Sequence, residues 1–177
     1  MVFVEESSTA LGVVVAHLES VAGELDYCVD VVVFSGHENV RASHRTTLEV
    51  TKDEYLTPRG DCIIGVKSSK SALDLSHCVK EVLRRGGSLL AIIVTSSGFF
   101  DYLYASGSEK LTFKDSRKMV IRRSDYVDDS TIGLRSSKAA GDLDRSLVEA
   151  LKRSERGFLV LVAIRRPPEL STHPRPP

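Results

Sequence analysis

Two histidines, two arginines and a run of hydroxyls gather in one short stretch of this chain. Gly36-His37-Glu38-Asn39-Val40-Arg41-Ala42-Ser43-His44-Arg45-Thr46-Thr47-Leu48-Glu49-Val50-Thr51-Lys52 is followed closely by Arg59 and Cys62. Histidine changes charge near neutral pH, so His44 and His37 are the candidates for general acid–base work, with Glu38 assisting. Arg59 and Lys52 could hold an anion, the guanidinium as a planar fork and the ammonium as a point charge. Ser69 and Lys70, in Ser68-Ser69-Lys70, sit before an amphipathic segment, where a helix start would offer N–H groups to an anion. Cys62 becomes a nucleophile only if a base lies beside it. Each residue also has a plainer role. His44 can be a satisfied core hydrogen bonder, His37 a turn residue, Arg59 a solvated loop charge, Cys62 a small buried hydrophobe, and the serines helix caps. His37, Glu38 and His44 have ligand chemistry but not the spacing of a compact zinc motif, so no metal and no cofactor are assigned.

The stretch stands out because the chain carries the same unit twice. Ile64-Gly65-Val66-Lys67-Ser68-Ser69-Lys70-Ser71-Ala72-Leu73-Asp74-Leu75 returns as Ile132-Gly133-Leu134-Arg135-Ser136-Ser137-Lys138-Ala139-Ala140-Gly141-Asp142-Leu143, identical at eight of twelve positions. Roughly one identity is expected by chance. Upstream, Ser35-Gly36-His37-Glu38-Asn39-Val40 aligns with Ser106-Gly107-Ser108-Glu109-Lys110-Leu111, and Val40 to Val50 with Leu111 to Ile121. Downstream, the stripe Ala72, Leu75, Val79, Val82, Leu83 matches Ala140, Leu143, Leu147, Ala150, Leu151. The runs Leu89 to Val94 and Phe158 to Ala163 pair as buried strands. His37, Asn39 and His44 thus face Ser108, Lys110 and Asp115. That contrast places any pocket in the first repeat.

The pattern predicts an α+β, β-rich fold in which two β-β-β-α-β units, about 29–95 and 98–164, merge into one pseudo-twofold domain with mostly antiparallel sheet. Period-two alternation from Val40 to Val50 reads as a strand with His44 facing inward. The helices are expected to begin near Ser71 and Ala139. Residues 1–27 form an N-terminal extension, in which Leu11, Val14, Val15, Leu18, Val21, Ala22 and Leu25 make a helical stripe. The domain spans 28–165, and 166–177 is a proline-rich tail.

Composition narrows the function classes. The 24 basic residues balance 24 acidic ones, so bulk nucleic-acid electrostatics is disfavoured. Tryptophan is absent, which weakens a base-stacking platform. No run reaches the ~20 apolar residues of a membrane span. Three cysteines without a Cys-x-x-Cys pair fit a reducing cytoplasm better than a disulfide framework.

The segment from Gly36 to Lys52, the turn Leu56-Thr57-Pro58-Arg59-Gly60-Asp61-Cys62-Ile63-Ile64-Gly65-Val66, and Asp128-Asp129-Ser130-Thr131-Ile132-Gly133-Leu134-Arg135 onward to Val148 resemble the DUF371 family over roughly 30–164. The resemblance implies a compact β-rich fold and a cytosolic archaeal protein. It supplies no activity and no catalytic residue. The reading from the residues is therefore binding of a small polar or anionic ligand, or an enzyme using a histidine pocket in the first repeat. The alternative is an RNA-binding or assembly module, with Arg41, Arg45, Thr47 and Glu49 on one strand face, or with sheet edges pairing between chains. The sequence sets no oligomeric state.

Overall fold

The computed structural model describes residues 26–165; the N-terminal stripe and the proline-rich tail lie outside them. The first half holds β1 (Tyr27–Ser35), β2 (Thr47–Thr51), β3 (Ile63–Gly65), α1 (His77–Arg84) and β4 (Ser88–Thr95). The second holds β5 (Phe100–Ser106), β6 (Lys118–Arg122), β7 (Thr131–Gly133), a 3-10 turn (Ala140–Asp142), α2 (Arg145–Lys152) and β8 (Arg156–Ile164). The architecture is α+β and β-rich, as the residue patterns predict. One sheet has the order β1-β8-β4-β5 and the other β3-β2-β6-β7. Both orders are unchanged when the strands of one half are exchanged for those of the other. All pairs are antiparallel except β2 with β3 and β6 with β7.

The first sheet turns Val32, Phe34, Leu89, Ile93, Leu103, Leu159 and Leu161 inward, where they meet Leu48, Val50, Met119 and Ile121 of the second. Both helices share this interior. Val79, Val82 and Leu83 of α1, and Leu147, Val148 and Leu151 of α2, are buried at helical spacing. Each half also grips the helix of the other. A Cβ on Gly36 would lie 2.0 Å from the Leu151 carbonyl oxygen, and one on Gly107 2.1 Å from that of Leu83. Only glycine lets the backbone come so close.

Three local expectations are corrected. The helices start at His77 and Arg145, six residues late, because Ser71–Asp74 and Ala139–Asp142 close turns first. Asp74 accepts from the Ser71 N–H at 2.8 Å, and Asp142 from that of Ala139 at 2.8 Å. The caps are Ser76, accepting from Val79 N–H at 3.3 Å, and Asp144, accepting from Ser146 N–H at 2.8 Å. Second, the strand expected from Val40 begins only at Thr47. Ala42 takes φ 44° and its counterpart Phe113 φ 53°, so a left-handed residue breaks the extended run in each half. Third, Gly36 N–H donates to Glu155 and Gly107 N–H to Gly87, both at 2.7 Å. Residue 87 therefore corresponds to 155, and Leu89 to Gly157 rather than Phe158.

The Ser-Ser-Lys motif binds one residue on each edge strand of the first sheet. On β1, Ser69 N–H donates to the Val33 carbonyl at 2.8 Å and Val33 N–H to Ser69 Oγ at 2.9 Å. On β5, Ser137 does the same for Tyr104, at 2.8 Å and 3.0 Å. The outward backbone groups of Val33 and Tyr104, which could otherwise pair with another chain, are thereby satisfied within this one. The lysines anchor the loop. Lys70 pairs with Asp30, buried on β1, at 2.5 Å, and Lys138 pairs with Asp101, buried on β5.

Candidate functional site

The histidines are held by turns, not by a pocket. His44 is half-buried in the loop before β2. Its Nδ1 accepts from Thr47 N–H at 3.1 Å and Thr46 N–H at 3.3 Å, and lies 2.7 Å from the Thr47 hydroxyl. In the other half, Asp115 Oδ1 accepts from Arg117 N–H at 2.7 Å and Lys118 N–H at 2.9 Å. These are the same i+2 and i+3 donors. His37 Nδ1 accepts from Asn39 N–H at 3.1 Å, as Ser108 Oγ accepts from Lys110 N–H at 3.3 Å. The side chains differ between halves, but the hydrogen-bond acceptor they supply does not. The His37 ring also meets Tyr55 edge-on at 5.3 Å. His44 is thus not on an inward strand face, since the strand starts three residues later.

The anion-binding candidates are separate. Arg59 is exposed at the tip of the 57–61 turn. Lys52 pairs with Asp74 at 2.5 Å. That bond, with the Ser71 hydroxyl and N–H, brings the Asp74 carboxyl down to about 2. Ser69 and Lys70 are engaged with β1 as described above. Arg41 reaches the Pro58 carbonyl at 3.5 Å, and Arg45 is exposed in the loop. No continuous basic strand face forms from them, because Arg41 and Arg45 precede β2.

A different group carries the perturbed chemistry. On the outward face of the second sheet, Glu49 of β2 stands opposite Val120 of β6, flanked by Arg122 and Lys118, which face Thr47 and Thr51. Glu49 is 9% exposed. Its oxygen contacts are long: the Cys62 thiol donates to Oε2 from 3.8 Å, and Lys118 Nζ lies 3.6 Å away. Burial raises the Glu49 carboxyl above the ordinary range, and Lys118, the Cys62 thiol and Arg122 offset that only in part. Burial, and then the Glu49 charge, push the Cys62 thiol to about 11. It is a protonated thiol at neutral pH and not an activated nucleophile. Arg122 is committed to Asp128 at 2.5 Å and the Thr131 hydroxyl at 2.9 Å, while the Lys118 side chain is 40% exposed. Protonated, the carboxyl would join the thiol and the ammonium as a third donor, and three donors converging suit an anion.

Sequence reading passed over this group because Glu49 looks like one more polar strand residue. The signal was available. Glu49 aligns with Val120 and Cys62 with Ser130, so the polar side of this face differs between halves. Cys28 of β1 and Cys78 of α1 form a disulfide across a Cα separation of 5.9 Å, where the cysteine count had suggested free thiols. The pair meets because β1 presents Cys28 to the first turn of α1, a contact that sequence spacing does not show. Cys62 is free. Among the described residues no three His, Cys, Asp or Glu side chains converge as a metal site, and no helix is long and apolar enough to cross a membrane. An open, shallow depression is lined by Phe99, Arg145, Ser146, Glu149 and Arg153.

The fold and this face define a two-sheet α+β protein whose buried Glu49 and Cys62 lie on the side of the second sheet turned away from the core. The chain matches the family model described as a domain of unknown function, DUF371, over residues 32–164, and it belongs to that family. It is also similar to a protein of Methanocaldococcus jannaschii that is itself described as uncharacterised. The two are 38% identical over 125 residues, which is 71% of this chain and 92% of the relative.

Proposed function

We propose that the chain binds a small polar, anionic ligand on the outward face of the second sheet, between Glu49, Cys62 and Lys118. The observation that carries this is Glu49, a buried carboxyl whose contacts are both longer than good hydrogen bonds. Such a group is costly unless a further partner completes it. An anion would take a hydrogen bond from the protonated carboxyl and another from the thiol, with the Lys118 ammonium as counter-charge. Binding then takes up a proton at Glu49, so affinity falls as pH rises through its raised pKa. The reading gives His37 and His44 no catalytic role; their ring nitrogens already support turns. It is a reading for a single domain over 28–165 in the cytoplasm. The free Cys62 supports that location, and the Cys28–Cys78 pair argues the other way.

The test is calorimetric titration with inorganic phosphate and with acetate at pH 5.5 and pH 8. The wild-type protein should bind one of them at least ~10-fold more tightly at the lower pH, a difference of about 1.4 kcal/mol. Glu49→Gln, whose amide keeps a donor, should bind with that pH difference abolished. Lys118→Met should lose binding. No binding by the wild type at either pH, or equal binding by all three proteins, refutes the proposal.

A further inference from the structure

The first sheet has a second face. Its inward side meets the helices, as the Cys28–Cys78 bond and the Asp30 contact with Ser76 N–H at 2.7 Å show. On the other side, β1 presents Val29, Val31 and Val33, directly opposite Val162, Val160 and Phe158 of β8. β4 adds aliphatic residues and β5 aromatic ones at alternate positions. No strand residue on this face is charged between the strand ends, although Lys138 Nζ lies 5.5 Å from the Tyr102 ring at the β5 edge. A face of four strands built of aliphatic and aromatic residues is far larger than the scattered hydrophobics a surface tolerates, and antiparallel sheets that meet water on one side normally alternate with polar residues. Val160 and Val162 are only 0% and 3% exposed, yet neither belongs to the contiguous core.

We propose that the N-terminal segment, residues 9–22, covers this face as an amphipathic helix laid over β1 and β8. The segment lies outside the described residues; its sequence and its point of attachment to β1 support this placement. Leu11, Val14, Val15, Leu18, Val21 and Ala22 recur at i, i+3, i+4, i+7, i+10 and i+11, one face of a helix. Serine and threonine, the types at positions 7–9, are favoured at helix starts, and glycine, the type at position 23, just past helix ends. Fourteen residues make a helix of about 21 Å, shorter than the roughly 30 Å of a nine-residue strand. Residues 23–26 then lead directly into β1, and four residues is an ordinary connection between helix and strand. So short a tether gives the stripe a local concentration that a second copy in solution does not match. The first 25 residues contain no lysine or arginine. The segment therefore lacks the basic face with which amphipathic helices bind anionic membranes, and its own sheet is the apolar surface in reach.

The experiment uses the full chain with the photocrosslinker p-benzoylphenylalanine in place of Leu18, and a control with it in place of Glu19 on the opposite helix face. Irradiation of Leu18→p-benzoylphenylalanine should link it within one chain to the tryptic peptide Gly157–Arg165, at least ~5-fold more than the Glu19 control. Hydrogen exchange of the wild-type protein should show amides 11–21 protected at least ~100-fold. Links between chains on a dimer would assign the face to a second copy and overturn the proposal. Links to β2 or β6, equal yields at both positions, or unprotected amides would overturn it as well.

Discussion

Replacing His44 separates chemistry from architecture. In the structure its Nδ1 accepts two backbone N–H groups, from Thr46 and Thr47, and approaches the Thr47 hydroxyl. Asp115 accepts the matching pair through one carboxylate oxygen. The backbone around them also matches: Ser43 and His44 N–H donate to Asp61, and Lys114 and Asp115 N–H donate to Asp129. His44→Asp therefore puts at position 44 the acceptor that the other half already uses, and should change stability by less than about 0.5 kcal/mol. His44→Ala removes the acceptor from two N–H groups at the mouth of β2. Loss of a cap of this kind costs about 1–2 kcal/mol, and the half-exposed site lets water recover part of it. The assay is urea denaturation of the wild type and both variants, with exchange of the Thr46 and Thr47 amides as a local readout. His44→Ala should lower the midpoint and speed exchange, and His44→Asp should do neither. Anion binding at pH 5.5 should be the same in all three. If His44→Asp is as damaging as His44→Ala, the shared acceptor is not what holds the loop. If stability is untouched in both while binding is lost, His44 acts on ligand and the architectural reading fails.

Other perturbations probe the same structure. Phe34 lies opposite Gly157 where the other half pairs Ala105 with Leu89, and a Cβ on Gly157 would lie 2.3 Å from the Phe34 ring. Phe34→Ala should cost about 3–5 kcal/mol and Gly157→Leu should clash. The double variant should be at least ~2 kcal/mol better than additivity in thermal or urea denaturation. Glu49→Gln should stabilise the protein by on the order of 1 kcal/mol at neutral pH, since it removes a buried carboxylate with long contacts. Because the folded pKa is raised, the wild type should lose stability relative to Glu49→Gln as pH climbs from the ordinary carboxylate range, which parallel melts from pH 4 to 8 would show. Asp101 goes the opposite way. Burial alone would raise its carboxyl, but Lys138 and the N–H groups of Asp144 and Tyr102 outweigh that and hold it low. Its contribution is present above the ordinary carboxylate pKa and disappears as pH falls through the folded value. Lys138→Met should cost about 2–3 kcal/mol at pH 7 and flatten that acid dependence.

The parts of this fold that show in the sequence are those written in long patterns. The repeated twelve-residue segment and the apolar runs place β1, β4, β5 and β8 closely and reveal both helices, although the helices begin at His77 and Arg145, later than the stripe suggests. What does not show depends on a single residue's backbone or on partners distant in the chain. Ala42 and Phe113 end the extended runs by adopting positive φ, and neither residue type signals it. Leu75 and Leu143 continue the helical stripe in spacing but are buried before the helices begin, because the capped turns at Ser71 and Ala139 take precedence. The one-residue offset at β4 and β8 is concealed by Gly157, which sits where a leucine stands in the other half. A glycine under a phenylalanine ring and a leucine over an alanine fill similar space, so the volumes agree while the letters do not.

The asymmetry between the halves that bears on chemistry lies at Glu49 and not at the histidines. A side chain that differs between the two halves marks a site only if the work it does differs too. His44 and Asp115, or His37 and Ser108, fail that test, since each pair accepts equivalent backbone donors. Glu49 and Val120 pass it. One is an ionisable group with a pKa raised by burial, and the other is a hydrocarbon filling the facing position on the same strand pair. Replacing a valine-like occupant by a carboxyl at so buried a position costs stability and gives the fold nothing in return that the other half lacks. The cost makes sense if the carboxyl meets a partner from outside the chain, which is why the outward face of β2 and β6, and not the histidine loop, is where binding should be sought first.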